Sequence, residues 1–145
     1  MTDQTTQTTH AVPTWFWVAA AAALLFEAFG VFQYLTDVTT DHATLPLDQR
    51  AMWAATPTWI IAFYAIAVWT GLAGAILLLL RRRFAVPALL VSLVAALIQF
   101  SGLFLVPQLR QTVPENALIA PVAISVCCYL AFMLARRANQ RGWLR

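Results

Sequence analysis

Lysine is absent from the chain, and charge of either sign is scarce. Nine arginines and six acidic residues make up only 10% of the 145 residues, whereas 61% are hydrophobic. A soluble domain carries about 25% charged and about 45–50% apolar residues, so this composition excludes an ordinary soluble globular protein. Cysteine is limited to the adjacent pair Cys127 and Cys128. Neighbouring thiols do not satisfy disulfide geometry, and no C-x-x-C spacing is present, so both read as small buried hydrophobes. The histidines, His10 and His42, lie in polar segments without a second ligand at metal spacing, which leaves no metal site. Glycine-rich phosphate loops, a Ser/His/Asp set and paired carboxylates are all missing. Soluble-type catalysis therefore has no support, and no cofactor is called for.

The arginines that remain are clustered, at Arg81, Arg82, Arg83 and at Arg136, Arg137, Arg141, Arg145. They form no basic stripe interleaved with aromatics, so a nucleic-acid partner is excluded. Between the clusters the chain is hydrocarbon. Apolar runs at roughly 13–35, 58–80, 84–106 and 117–135 each reach the ~20 residues that a helix needs to cross a bilayer. The expectation is a single all-α membrane domain, a bundle of four transmembrane helices. The first run has no basic n-region before it and exceeds the length of a signal-peptide core, so it reads as a retained helix. Both arginine clusters flank the same side under the positive-inside rule, which puts the 81–83 turn and both termini in the cytoplasm of a bacterial inner membrane. Trp15 and Trp17 then mark the inner interface, Trp53 and Trp59 the outer one.

Each helix offers one small or polar face, as close packing in lipid requires. Helical spacing aligns Ala20, Ala23, Glu27, Gly30 and Tyr34 on the first helix, and Tyr64, Ala67, Gly71 and Gly74 on the second. The third carries Ser92, Ala95, Gln99 and Gly102; the fourth brings Pro121, Ser125, Cys128 and Tyr129 together. Trp69 lies near the middle of the second helix, facing the bundle or the lipid.

Glu27 is the residue that composition does not explain. A charged side chain at a helix centre costs about 2.5–3.5 kcal/mol on insertion scales, and an intramembrane ionisable residue is by default a functional-site hypothesis. Burial favours its neutral form, and no intramembrane arginine is available as a partner. Counting about 1.5 Å per residue from the span ends places Glu27, Tyr64 and Gln99 within a few ångströms of one level. These residues, with Tyr34, form the candidate ligand- or proton-binding set, Glu27 donating to Gln99 or accepting from Tyr64. The outer connection 36–57 is long. Pro46 can begin and Pro57 stop a short interfacial helix at 46–55, whose Asp48 and Arg50 are candidates at the outer mouth.

The block PTWIIAFYAIAVWTGLAGAILLLLRRRFAVPALLVSLVAALIQF, with the DQRAMW loop and the mid-membrane glutamate, resembles a group of small bacterial four-helix membrane proteins. Some members of that group carry a sugar-transporter label. The resemblance covers most of the chain and implies a fold but no chemistry. The step Glu27-Ala28-Phe29-Gly30 is similar to the E-x-x-G of small multidrug resistance transporters, which implies a proton-coupling role for Glu27. The longer first loop and the absence of a glycine pattern in the fourth helix depart from that family. The function expected is small-molecule binding or transport without enzymatic activity, Glu27 acting as proton or cation site. Its alternatives are an accessory subunit of a larger membrane complex and a quinone-type redox component. The bilayer is the expected partner, with a homo-oligomer or larger complex open, and no ligand is named.

Overall fold

The computed structural model describes residues 11–145; His10 lies outside them. Six α-helices follow in chain order: α1 (Thr14–Thr39), α2 (Leu47–Ala55), α3 (Thr58–Leu79), α4 (Ala85–Leu105), α5 (Pro107–Thr112) and α6 (Ile119–Gln140). There is no strand among the described residues. Four segments, Thr14–Thr39, Thr58–Leu79, Ala85–Leu105 and Glu115–Gln140, are long and apolar enough to cross a membrane. The chain is therefore a multi-pass, all-α membrane protein whose exposed surface of Leu, Ile, Val and Phe contacts lipid. Trp69 belongs to that surface at 49% exposure.

Two of the helices run past their apolar stretches. α1 continues beyond residue 35 to Thr39. The Thr36 and Thr39 hydroxyls donate to the carbonyls of Phe32 and Leu35 at 3.0 and 2.6 Å, and Gln33 Nε2 donates to Asp37 Oδ1 at 3.0 Å. Such one-turn bonds carry polar residues along a helix that hydropathy alone would end. α6 likewise extends beyond residue 135, through Arg136 and Arg137, to Gln140. The connection after α4 is not bare loop: Pro107 begins α5, a position where its missing N–H costs nothing.

α3 and α4 form the tightest pair, because glycine removes the side chain where the other helix must enter. A methyl on Gly74 would lie 2.7 Å from Leu89 Cγ and 3.1 Å from the Leu89 backbone nitrogen, and one on Gly102 would collide with Ile60. Ser92, 2% exposed, adds a bond across the pair, donating to the Ala67 carbonyl at 2.7 Å. α1 packs on α3, and α6 on α4, so the four spans stand side by side in the order α1, α3, α4, α6.

α1 and α6 meet at the arginine-rich end. There Phe16, Ala20, Leu78, Ala85, Leu89, Ala131, Ala135, Ala138, Trp143 and Leu144 make one core. α6 stops in a Schellman turn: Gly142 has φ +70°, its N–H bonds to Asn139 O at 3.1 Å, and the Trp143 N–H bonds to Ala138 O at 2.9 Å. α3 ends the same way, with Arg81 at φ 57° and the Arg82 N–H on Leu77 O at 2.8 Å. The two turns join. Arg83 N donates to Arg145 O at 3.0 Å, Arg145 N to Arg81 O at 2.5 Å, and Arg81 Nε to Trp143 O at 2.7 Å. Trp143 packs edge-on against Trp15 and Phe16, with the Arg141 guanidinium 5.1 Å from its ring centre. This clasp seals the arginine-rich end of the bundle.

Candidate functional site

Glu27 is 4% exposed and points into the bundle. What admits it is Gly71 on α3: a methyl there would overlap the carboxyl group, standing 2.6 Å from Glu27 Cδ and 2.8 Å from Ser92 Oγ. The carboxyl group and the serine hydroxyl thus share one notch in the α3 backbone. Ser92 spends its proton on Ala67 O, and Glu27 Oε1 has no hydrogen-bond partner among the described residues. An unpaired buried oxygen of this kind is costly and uncommon in a folded protein.

The expected level of Glu27, Tyr64 and Gln99 separates into two. α1 and α3 are antiparallel, and their contacts step in opposite directions: Glu27 against Gly71, Gly30 facing Val68 Cγ1, and Tyr34 against Tyr64. Tyr64 is therefore about two turns, or ~10 Å, further from the arginine-rich end than Glu27. The count from span ends failed because α1 starts deeper than α3 finishes; its first turn packs on Trp143 beyond the 81–83 turn. No hydrogen bond joins Glu27 to Tyr64 or Gln99 among the described residues. Tyr64 OH donates instead to Asp37 Oδ2 at 3.3 Å, and its ring meets that of Tyr34 edge-on at 5.1 Å between centroids.

The two levels open into one space. A cavity of about 500 Å³ is lined by Glu27, Ser92 and Cys128 at one end and by Gln33, Asp37, Tyr64, Gln99 and Met52 at the other. Gly30, Ala67, Val68, Ala96 and Phe100 wall it between them. Its size falls in the ~300–1,000 Å³ range of small-molecule sites, which are mostly apolar with a few polar groups. Its polar groups are acids, amides and hydroxyls; no arginine lines it. Tyr34 borders it through Tyr64 rather than lining it.

Asp48 and Arg50 stand apart. Asp48 is exposed in the first turn of α2. Arg50 Nη2 donates to the Ala43 carbonyl, and to Leu45 O at 3.3 Å, so its charge ties down the loop before α2. His42 stacks 4.5 Å from Trp53 in the same loop. No cluster of His, Cys, Asp or Glu suited to a metal exists among the described residues.

Asp37, Gln33, Ser92 and Cys128 were not singled out as site residues from sequence. Asp37 had a signal: it is the next helical step after Glu27, Gly30 and Tyr34, two residues past the apolar run. Ser92 was already on the inner stripe of its helix. Cys128 faces the cavity, Pro121 lines both the cavity and a groove between α4 and α6, and Ser125 and Tyr129, expected beside them, line that groove alone. Comparison with known proteins supplies no family: no family model, curated protein or solved structure matches the chain.

Proposed function

We propose that this chain is a non-enzymatic bacterial inner-membrane protein, its arginine-rich end cytoplasmic, that binds and moves a small molecule through the Glu27 cavity. The supporting observation is a buried glutamate, without a hydrogen-bond partner at Oε1 among the described residues, whose side chain lines a cavity between membrane-spanning helices. A carboxyl group that served only to join helices would be expected to bond across them, as Ser92 does. Glu27 instead has no hydrogen-bond partner at Oε1 among the described residues, although its side chain lines the cavity. In this reading the ligand bonds to the Glu27 carboxyl group, and the Asp37–Tyr64 pair recognises its other end.

The test is a thermal-shift screen of purified protein against small-molecule libraries, with wild type, Glu27→Gln and Glu27→Leu side by side. Gln preserves size and polarity but cannot exchange a proton, and Leu removes the polar group. Ligands that stabilise the wild type and lose that effect with Glu27→Leu support the reading, and any that also release protons in weak buffer from the wild type but not from Glu27→Gln mark Glu27 as the proton site. Equal stabilisation of the wild type and Glu27→Leu overturns it.

A further inference from the structure

The cavity has two possible mouths, and they differ in how they are closed. At the loop end, α2 and α5 touch each other across the top of the bundle. Leu109 of α5 is buried there, and Met52 and Trp53 of α2 lie with it around the space above Tyr64 and Gln99. On the flank, nothing comparable joins α1 to α6. They are held together at the arginine-rich end by the Trp143 and Leu144 core. Further along, a groove lined by Ala19, Ala22, Ala23 and Phe26 of α1 and by Cys127, Leu130, Ala131 and Leu134 of α6 separates them. The Glu27 cavity begins where this groove ends. Phe29, Ala120 and Ile124 line it and are themselves exposed on the flank of the bundle. These positions lie within spans that lipid surrounds.

We infer that the ligand of the Glu27 cavity is an uncharged, hydroxyl-headed amphiphile with a single apolar chain, which enters sideways from the bilayer between α1 and α6. This rests on the proposed role of the cavity and adds its route and its ligand class. Three features select the class. The walls are apolar over most of their length, and the volume of about 500 Å³ suits one chain. The absence of arginine from the lining leaves an anionic head without a positive charge to bind and sets two acidic side chains against it. A cation on this route must shed its hydration in hydrocarbon before it reaches Glu27, which is costly; a hydroxyl does so at far less expense. Once inside, a hydroxyl can both donate to and accept from the Glu27 carboxyl group, whose side chain lines the cavity.

The experiment uses the full chain in lipid nanodiscs and three photoreactive probes with the same long diazirine-bearing chain. Their heads are a hydroxyl, a quaternary ammonium and a carboxylate. Crosslinks are mapped by mass spectrometry. The hydroxyl probe is expected to label residues 26–33 and 120–128 severalfold more than the other two. Ala120→Trp, which fills the mouth, should reduce that labelling severalfold while leaving labels at the lipid-facing Leu25 and Val91 unchanged. Ile124→Ala, which widens the mouth, should raise it. Equal labelling by all three heads, or preference for either ion, overturns the ligand class. Labelling insensitive to both mouth variants overturns the route. If soluble ligands stabilise the protein through Glu27 while the hydroxyl probe fails, this inference falls and the proposed function stands; if neither responds, both fall.

Discussion

Glu27 and Gly71 occupy complementary halves of one contact: the carboxyl group of α1 fills the space that a side chain on α3 would take. The consequence is directional. Gly71→Ala must push the Glu27 carboxyl group and the Ser92 hydroxyl aside, and because both are side-chain ends beside the cavity the loss should fall at the low end of the ~1–3 kcal/mol that overpacking costs. Gly30→Ala is the control, because its methyl would meet Val68 Cγ1 at an ordinary 3.6 Å. Thermal unfolding in detergent should show a clear loss for Gly71→Ala and little change for Gly30→Ala. Equal midpoints would mean that the notch is not needed.

Asp37 and Tyr64 form the second polar contact across α1 and α3. The bond is long at 3.3 Å, and bonds between membrane helices average about 0.6 kcal/mol in double-mutant cycles. Tyr64→Phe keeps the edge-on contact with Tyr34 and should cost no more than about 1 kcal/mol, whereas Tyr64→Ala also loses an aromatic pair worth about 0.5–1.5 kcal/mol. A cycle with Asp37→Asn should give a small favourable coupling for the native pair. Coupling indistinguishable from zero removes this pair from the site.

The clasp yields a comparison at one position. Arg81 holds φ 57°, a region that costs a non-glycine residue roughly 1–2 kcal/mol, while its Nε bonds Trp143 O at 2.7 Å. Arg81→Ala keeps the backbone cost and loses the bond, so it should destabilise by about 1 kcal/mol or somewhat more. Arg81→Gly loses the same bond but relieves the backbone, so it should be the milder change. Urea or thermal unfolding of the two variants ranks them; a milder alanine would show that the left-handed turn carries no strain.

The spans and the small inner faces were legible because both follow from local spacing. Glu27 stood out against hydrocarbon, and Pro46 and Pro57 bracketed α2. The register between helices was not legible. Apolar runs end where hydropathy changes, but α1 is displaced toward the arginine-rich end because Trp143 and Leu144 fold back to cover its first turn. That cover depends on the turn at Gly142, a tertiary contact that periodicity does not encode. The same displacement hid Asp37, whose helix outlasts its hydrophobic stretch through threonine and glutamine bonds. Ser92 was on the correct face, yet nothing local shows that Gly71 would bring it to Glu27.

The sharpest separation between a functional and a purely structural Glu27 comes from Glu27→Leu. If the carboxyl group joined helices, leucine would forfeit an interhelical bond worth about 0.6–2 kcal/mol, and the bundle would weaken. Among the described residues Glu27 Oε1 makes no such bond, so there is none to lose there. Leucine is of similar bulk, fits the notch opposite Gly71 by flexing its end, and removes an acidic group whose placement at a helix centre costs about 2.5–3.5 kcal/mol on insertion scales. The expected outcome is a variant that inserts normally and melts at the wild-type temperature or above it. That same variant should lose any ligand-induced stabilisation, since the carboxyl group at the base of the cavity is gone. Stability raised by losing a group, together with binding abolished by losing it, is the signature of a residue retained for function at the expense of the fold. A drop in melting temperature with ligand binding intact would reverse the assignment and make Glu27 a structural residue.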